Sequence, residues 1–143
     1  NKNPQLTDLD KEISISHTAE KVMIQIREKD ELCGVDIQEI SEKAERVKSK
    51  FLHIKEIKWM EESSLSHLIL CNLLWSAKET AYKAFASICE QEEVIEFKTQ
   101  LILDEIDEKN STLKGHFIEK NKRTSFVLGY SILEEFVVTW FEG

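Results

Sequence analysis

Two separated segments of this chain hold side chains whose types and spacing suit phosphate chemistry. The first, GVDIQ at 34–38, sets the carboxylate of Asp36 in an otherwise apolar run. The second, WSAKETAYK at 75–83, carries three charged side chains, those of Lys78, Glu79 and Lys83. Mg²⁺ is usually held by one or two carboxylates together with substrate phosphates and waters. If the fold brings Asp36 close to Glu79, we expect a Mg²⁺ site in which the two lysines neutralise a phosphorylated ligand.

The same residues also fit a purely structural arrangement. Glu79 and Lys83 are i,i+4 neighbours on a helix, where an exposed ion pair contributes about 0.3–0.5 kcal/mol. Asp36 can equally open a turn after its strand. The residues alone leave both interpretations open, because the chain contains no P-loop, GxGxxG, HExxH or GxSxG pattern that would decide between them.

The second segment lies on the clearest predicted helix, which runs from Ser64 to Ser87. Its first half is apolar in nearly every direction at about 100° per residue, which is typical of a buried helix. The charged residues that follow need partners, because an unpaired buried charge is very costly. We expect either that the helix reaches solvent at Ser76 or that its charges line a cleft. Packing roles are assigned to Trp75, Tyr82 and Phe85.

Strand-like segments flank this helix on both sides. Alternating apolar and polar residues predict strands at 13–16 and 22–27, a third short strand at 32–37 and a helix at 42–51. Further strand-like runs, separated by turn residues, lie at 99–106, 112–119, 124–131 and 136–141. This order predicts an α+β fold in which an antiparallel sheet packs on a long buried helix. The length of 143 residues fits one domain over 1–143.

Composition argues against several classes of function. The formal net charge of −8 argues against general nucleic-acid binding, which depends on Lys and Arg contacts to phosphates. No apolar run approaches the roughly 20 residues of a membrane span, and the N-terminus has no signal-peptide pattern. Three cysteines without CxxC spacing predict neither a disulfide framework nor a zinc site. We expect a cytoplasmic protein with no nucleic-acid or membrane partner.

The ordered motifs resemble those of the 4′-phosphopantetheinyl transferase family, and most closely its larger, two-repeat branch. The family combines GVD or GID with W-S-x-K-E-x-x-x-K, and both stand here in that order, at 34–36 and 75–83. The stretch Ile15-Ser16-His17-Thr18 resembles the SISHT segment that precedes the first motif in the larger branch. Lys50-Phe51-Leu52, followed by Glu56, resembles the helix and the acid that the family places between the motifs.

This resemblance implies an activity and a cofactor. The chain is expected to be a holo-acyl-carrier-protein synthase, which moves 4′-phosphopantetheine from coenzyme A to a serine of an acyl or peptidyl carrier protein. Coenzyme A would be the co-substrate and Mg²⁺ the cofactor. Asp36 and Glu79, with Gln38 as a further ligand, are implied to bind the metal. Glu79 is also implied to help deprotonate the carrier serine.

The resemblance further implies a set of phosphate-binding residues. Lys78 and Lys83 would neutralise phosphate oxygens, and Lys78 would stabilise charge on the departing 3′,5′-ADP. Ser16 and His17 would contact the 3′-phosphate of coenzyme A. Such a reaction depends mainly on positioning and electrostatic stabilisation, as phosphoryl transfers generally do.

Two departures from the family pattern keep alternatives open. Many larger members have Glu where this chain has Gln38, which contributes no charge to metal binding. Two-repeat members also carry most of another repeat before the SISHT segment, which is preceded here by a short stretch only. One alternative is a non-catalytic carrier-protein- or nucleotide-binding member of the same fold. Another is an unrelated α+β interaction protein, in which Asp36 and Glu79 lie too far apart to share an ion. A homo-oligomer that replaces the missing repeat is a further hypothesis.

Basic residues outnumber acidic ones between positions 43 and 58. The six basic residues are Lys43, Arg46, Lys48, Lys50, Lys55 and Lys58. A solvated helix face explains them simply. A docking surface for an acidic carrier protein would instead use them to steer association, despite the negative total charge.

Overall fold

Two antiparallel sheets and one long helix dominate this computed structural model, which describes residues 5–6, 10–89 and 94–143. The smaller sheet has the order β1-β2-β3, with strands Gln5–Leu6, Lys11–Thr18 and Lys21–Glu28. The larger sheet has the order β4-β8-β7-β6-β5. Its strands are Val35–Glu39 (β4), Leu101–Asp107 (β5), Thr112–Glu119 (β6), Lys122–Ile132 (β7) and Phe136–Phe141 (β8). The larger sheet therefore pairs β4 with the last strand of the chain.

The long helix α4, His67–Ala86, lies against β4 and β8. Ser66 caps its first turn by accepting a hydrogen bond from the amide of Ile69 at 3.2 Å. Four shorter helices surround it: Glu42–Arg46 (α1), Lys48–Phe51 (α2), Ile54–Met60 (α3) and Phe97–Gln100 (α5). The short helices α1 to α3 connect β4 to α4, so they lie beside the two predicted motifs.

The core lies between α4 and the larger sheet. The ring of Phe85 on α4 is centred 4.6 Å from that of Phe117, 5.6 Å from that of Phe126 and 5.8 Å from that of Phe141. Burying one large apolar side chain contributes about 1.5–3 kcal/mol, so this contact fixes the helix on the sheet. The predicted α+β fold, with an antiparallel sheet on a long buried helix, is confirmed.

Some elements differ from the prediction in their bounds, and not every helix was predicted. The strand predicted at 32–37 begins at Val35, because the amide of Gly34 donates to the side chain of Gln25 at 2.9 Å. The helix predicted at 42–51 is interrupted at Val47, where the backbone leaves helical angles (φ −106°, ψ 13°). Helix α3 was not predicted, although His53 and Glu56 form a capping box at its start.

The smaller sheet is joined to the larger one by hydroxyl groups. Ser14 accepts a hydrogen bond from the amide of Val35, and Ser16 accepts one from the amide of Ile37, each at 3.1 Å. The opposite face of this sheet leaves four apolar side chains exposed: Ile15, Val22, Ile24 and Ile26. Among the residues that the structure describes, no helix combines the length and the apolar character that crossing a membrane requires.

Candidate active site

The carboxylate of Asp36 on β4 is buried and hydrogen-bonded. Its side chain is 5% exposed, and burial of a carboxylate is tolerated only with partners. The hydroxyl of Ser16 donates to Oδ1 at 3.4 Å, and Nε2 of Gln38 donates to Oδ2 at 2.9 Å. Asp36 therefore does not open a turn, as the simpler interpretation of the sequence had it, but is held within the strand by both neighbours.

A buried hydroxyl cluster and a close backbone approach hold α4 against this strand. Oγ1 of Thr139 lies 2.9 Å from the hydroxyl of Ser76 and 2.6 Å from that of Thr80. At Gly34, a β-carbon would come within 2.4 Å of the carbonyl oxygen of Thr80. Only glycine at position 34 therefore lets the backbone of α4 approach this closely. These contacts fix the helix turn that carries Glu79 relative to the strand that carries Asp36.

Glu79 is half-buried on α4 and is electrostatically coupled to Asp36. Burial and the nearby Asp36 carboxylate raise the pKa of Glu79 to about 6, whereas the Lys83 ammonium opposes this shift. Two carboxylates that repel each other in this way form a site that a cation would stabilise. The Asp36 carboxylate therefore lies near enough to Glu79 to help raise its pKa.

Lys83 lies at the same contact between helix and strands. Its Nζ is 3.7 Å from Oδ1 of Asp36 and donates to the carbonyl of Val35 at 2.8 Å and to that of Ile15 at 3.4 Å. The ammonium group thus joins α4 to both β2 and β4. It also places a positive charge beside the two carboxylates, where a phosphate would need one.

Lys78 lies elsewhere, although it precedes Glu79 directly in the sequence. Its side chain is fully buried, and Nζ lies 2.8 Å from Oε1 of Glu56, which is also fully buried. The same nitrogen donates to the carbonyl of Phe51 at 2.7 Å and to that of Phe97 at 2.8 Å. An ammonium group has three donors, and all three have partners here. In this arrangement the ammonium group of Lys78 is paired with Glu56 and is not available to Asp36 or Glu79.

Ser16 and His17 are likewise separated by the structure. Successive residues of a strand point to opposite faces, and accordingly Ser16 is buried whereas His17 is exposed. The Ser16 hydroxyl is occupied by the amide of Ile37 and by Asp36. The two neighbours therefore do not converge on one phosphate group, and Ser16 positions the Asp36 carboxylate.

An apolar pocket of about 360 Å³ opens next to these residues, and sequence reasoning missed it. Its lining consists of Val47, Lys50, Phe51, Trp75 and Phe97. Trp75 is 5.0 Å from Phe51 and 5.4 Å from Phe97 between ring centres. Trp75 is one helical turn before Glu79 on α4, so the pocket lies about one turn from that carboxylate. The available signal was Trp75, four residues before Glu79, for which the sequence predicted a packing role only.

The donor set at the site fits Mg²⁺. Carboxylate and amide oxygens are hard ligands, and Mg²⁺ commonly takes only one or two protein carboxylates. Asp36 and Glu79 supply these, and Gln38 lies 2.9 Å from Asp36 through its amide nitrogen. Within the described ranges, no three His, Cys, Asp or Glu side chains cluster closely enough to hold a metal by themselves. Phosphate oxygens and waters would complete the coordination.

Two coupled carboxylates with an ammonium group, at one contact between helix and sheet, form the kind of site that binds a phosphorylated substrate. A family model described as the 4′-phosphopantetheinyl transferase superfamily matches residues 32–140. Because this match covers well over half of the chain, the chain belongs to that superfamily, as the motifs predicted. The match contains Asp36, Lys78, Glu79 and Lys83, whereas the SISHT segment precedes it. No curated protein matches the chain.

Proposed function

We propose that this chain transfers the 4′-phosphopantetheine group of coenzyme A to a serine of an acyl or peptidyl carrier protein, in a Mg²⁺-dependent reaction. The observation that carries the proposal is the coupling of Asp36 and Glu79, on β4 and α4, inside the region that matches the superfamily. Membership of the superfamily supports transfer of phosphopantetheine as the activity. The metal, the carrier and the residue roles are the proposed parts.

Asp36, Glu79 and Gln38 are the residues that would hold Mg²⁺. When bound, the ion supplies charge neutralisation for the pyrophosphate of coenzyme A. Ser16 and Gln38 hold the Asp36 carboxylate in one orientation, which limits the reorganisation needed on binding. The neutral side chain of Gln38 leaves the site with two negative charges from the protein.

Glu79 is proposed to accept the proton of the carrier serine, directly or through one water. A general base works best when its pKa lies near the working pH, and a carboxylate with a pKa of about 6 meets this condition better than an ordinary one. The serine oxygen attacks the phosphorus that carries pantetheine, and the bond from that phosphorus to the departing 3′,5′-ADP breaks. The charge on the departing phosphate grows during this step.

Lys83 is the proposed partner of that charge. Its ammonium group already lies 3.7 Å from Asp36, in the direction of the two carboxylates. His17 is exposed and available to an adenine-side phosphate, so its contact to the 3′-phosphate remains part of the proposal. Lys78 has no direct phosphate contact in this proposal, because such a contact would require its buried ion pair with Glu56 to break.

Intact-mass spectrometry tests the function directly. An apo carrier protein is incubated with the chain, coenzyme A and Mg²⁺, beside a Glu79→Gln variant and a Glu134→Gln control at an exposed loop position. We expect a phosphopantetheine-sized mass gain for the wild type and the control, and a rate lowered at least about 100-fold by Glu79→Gln.

The remaining outcomes separate the alternatives. Binding of coenzyme A without any mass gain on acyl and peptidyl carriers would favour the non-catalytic alternative. If the chain neither binds coenzyme A nor transfers phosphopantetheine, the proposal is contradicted. Transfer that Glu79→Gln leaves unchanged would refute the assigned role of Glu79 and keep the activity.

The carrier is proposed to dock on the basic surface of α1 to α3. Five of its six basic side chains are exposed, those of Lys43, Arg46, Lys50, Lys55 and Lys58. These helices border the apolar pocket, so a carrier bound there would bring its serine near Glu79. Reversal of charge at Arg46 and Lys48 should raise the KM for the carrier, whereas the same change at Lys120 and Lys122, in and beside the β6–β7 turn, should not. Equal effects of the two reversals would refute docking at α1 to α3.

A further inference from the structure

The ion pair between Lys78 and Glu56 is buried more completely than any other in the described part of the chain. Both side chains are 0% exposed, and Nζ lies 2.8 Å from Oε1. Burial lowers the pKa of Lys78 and raises the pKa of Glu56, and each charge opposes the shift of the other. Such a pair is costly to form, because two ions leave water. Unlike an apolar contact, this ion pair can also hydrogen-bond to the backbone around it.

Hydrogen bonds extend from this pair to four backbone segments. Lys78 donates to the carbonyls of Phe51 and Phe97, at 2.7 and 2.8 Å. Glu56 accepts from the amide of His53 through Oε1 and from that of Leu103 through Oε2, each at 2.6 Å. These segments are the end of α2, the start of α3, the start of α5 and the bulged strand β5. The pair therefore ties four separate parts of the chain to the middle of α4.

Two of the tied segments form the walls of the apolar pocket. Phe51 and Phe97 both pack on Trp75, at 5.0 and 5.4 Å between ring centres, and Phe97 is also 5.5 Å from Tyr82. Each of the two phenylalanines offers its own carbonyl to Lys78. The position of both rings is thus set by the backbone atoms that the ammonium group holds.

We propose that Lys78 and Glu56 act together as a positioning pair, which holds Phe51 and Phe97 around Trp75 and so shapes the pocket beside Glu79 for substrate binding. Lys78 acts through these walls and does not touch the phosphates. The statement about substrate rests on the transferase function proposed above, whereas the statement about the walls depends on the structure alone.

A phosphate contact by Lys78 is disfavoured by its geometry. All three protons of the ammonium group are already donated, and the side chain has no exposed surface. Moving it to the carboxylates would leave Glu56 as an unpaired buried anion and two carbonyls without donors. Removing one partner of such a pair is far more destabilising than replacing both. The pair should therefore respond to mutation as one unit.

The test compares Lys78→Met, Glu56→Gln, the double variant and Lys78→Arg, with Lys114→Met as an exposed lysine control. Hydrogen–deuterium exchange reports on the amides of His53 and Leu103, which donate to Glu56. We expect Lys78→Met to speed their exchange about tenfold or more, and the double variant to recover at least part of the protection. Lys78→Arg should resemble Lys78→Met, because a planar guanidinium cannot replace a compact ammonium group in a fully buried site.

Transfer kinetics test the consequence for substrate. We expect Lys78→Met to raise the KM for coenzyme A or the carrier about fivefold or more, with kcat changed less than about threefold, and the double variant to recover most of the KM. A pair that only stabilised the fold would lower the unfolding temperature and leave KM unchanged below it. Titration with Mg²⁺ and inorganic pyrophosphate should give the double variant and the wild type the same affinity within about twofold.

Three results would overturn the proposal. Unchanged amide exchange at His53 and Leu103 in Lys78→Met would show that the ion pair does not hold these backbone segments in place. Pyrophosphate affinity lost in Lys78→Met and equally in the double variant, but kept in Lys78→Arg, would show a phosphate contact instead. An unchanged KM in a destabilised Lys78→Met would reduce the pair to a stabilising one. If the wild type transfers nothing, the proposed function fails, and the exchange measurement still decides whether the pair positions the walls.

Discussion

Gly34→Ala is the sharpest test of how the two carboxylates are brought together. A β-carbon at this position would lie 2.4 Å from the carbonyl oxygen of Thr80 and 3.3 Å from its carbonyl carbon. Both atoms belong to the backbone of α4, so no side-chain rotation can make room. Ordinary contact begins near 3.4 Å, and helix and strand would therefore have to separate by about 1 Å.

Two effects follow from this separation. Overpacking of this kind costs about 1–3 kcal/mol, which corresponds to a fall of roughly 3–10 °C in Tm for a domain of this size. The same shift moves Glu79, the neighbour of Thr80, away from Asp36, which lies two residues after Gly34. A misplacement of about 1 Å in a catalytic constellation can cost about 100-fold in rate. The rate of transfer should therefore fall about 100-fold even at a temperature where the variant remains folded.

The assay measures Tm and kcat/KM for phosphopantetheine transfer at a temperature where Gly34→Ala remains folded. Ser125→Thr, which adds one methyl group at an exposed position on β7, is the matched control and should change neither quantity appreciably. Wild-type kcat/KM in a folded Gly34→Ala protein would refute the argument that close approach at Gly34 sets the site. Loss of stability alone would show that α4 shifts without separating the carboxylates.

Three further predictions concern the same contact. The pKa of Glu79 is about 6, above its ordinary value of 4.5, so ionisation of Glu79 opposes folding of the metal-free chain. Because Glu79 is mostly protonated near pH 5, Mg²⁺ should bind roughly tenfold more weakly there than near pH 7.5 in calorimetry. An equal affinity at the two pH values would contradict the raised pKa. Thr139→Val removes the hydroxyl shared by Ser76 and Thr80 and should lower the free energy of unfolding by about 1–3 kcal/mol in urea titrations, whereas a neutral result would mean that the cluster is dispensable. Gln38→Glu adds a carboxylate beside Asp36 and should strengthen Mg²⁺ binding, and unchanged calorimetric affinity would place residue 38 outside the metal site.

Periodicity predicted most of the regular structure, including β3, whose alternating apolar side chains are exposed. The helix expected from Ser64 to Ser87 runs from His67 to Ala86, and the strand expected at 112–119 has those bounds in the structure. Alternation also located both strands of the smaller sheet. What periodicity could not show is that the strands form two sheets, since this depends on hydroxyl contacts such as those of Ser14 and Ser16 with β4.

The residues that set the site geometry were harder to predict than the residues that would do chemistry. Asp36 and Glu79 were identifiable from their charge within apolar segments. Thr139 is one polar residue in a largely apolar strand, FVVTWF. Its hydroxyl fixes the helix on the strand only because Ser76 and Thr80 of α4 pack against it. Gly34 was assigned to a strand interior, although its function is to admit the backbone of the helix. Long-range contacts of this type leave no local pattern in a sequence.

The separation of Lys78 from Glu79 has a simple geometric origin with consequences for any mutational study. Successive helix residues differ by about 100°, whereas residues four apart differ by about 40°. Glu79 and Lys83 therefore share the stripe that faces β4, and Lys78 shares with Tyr82 the stripe that faces Phe97. Loss of activity on replacing either lysine would look the same in a simple scan, although one lysine serves the carboxylates and the other the pocket walls. A partner variant distinguishes them, because Glu56→Gln can compensate for loss of Lys78 and has no means of compensating for loss of Lys83.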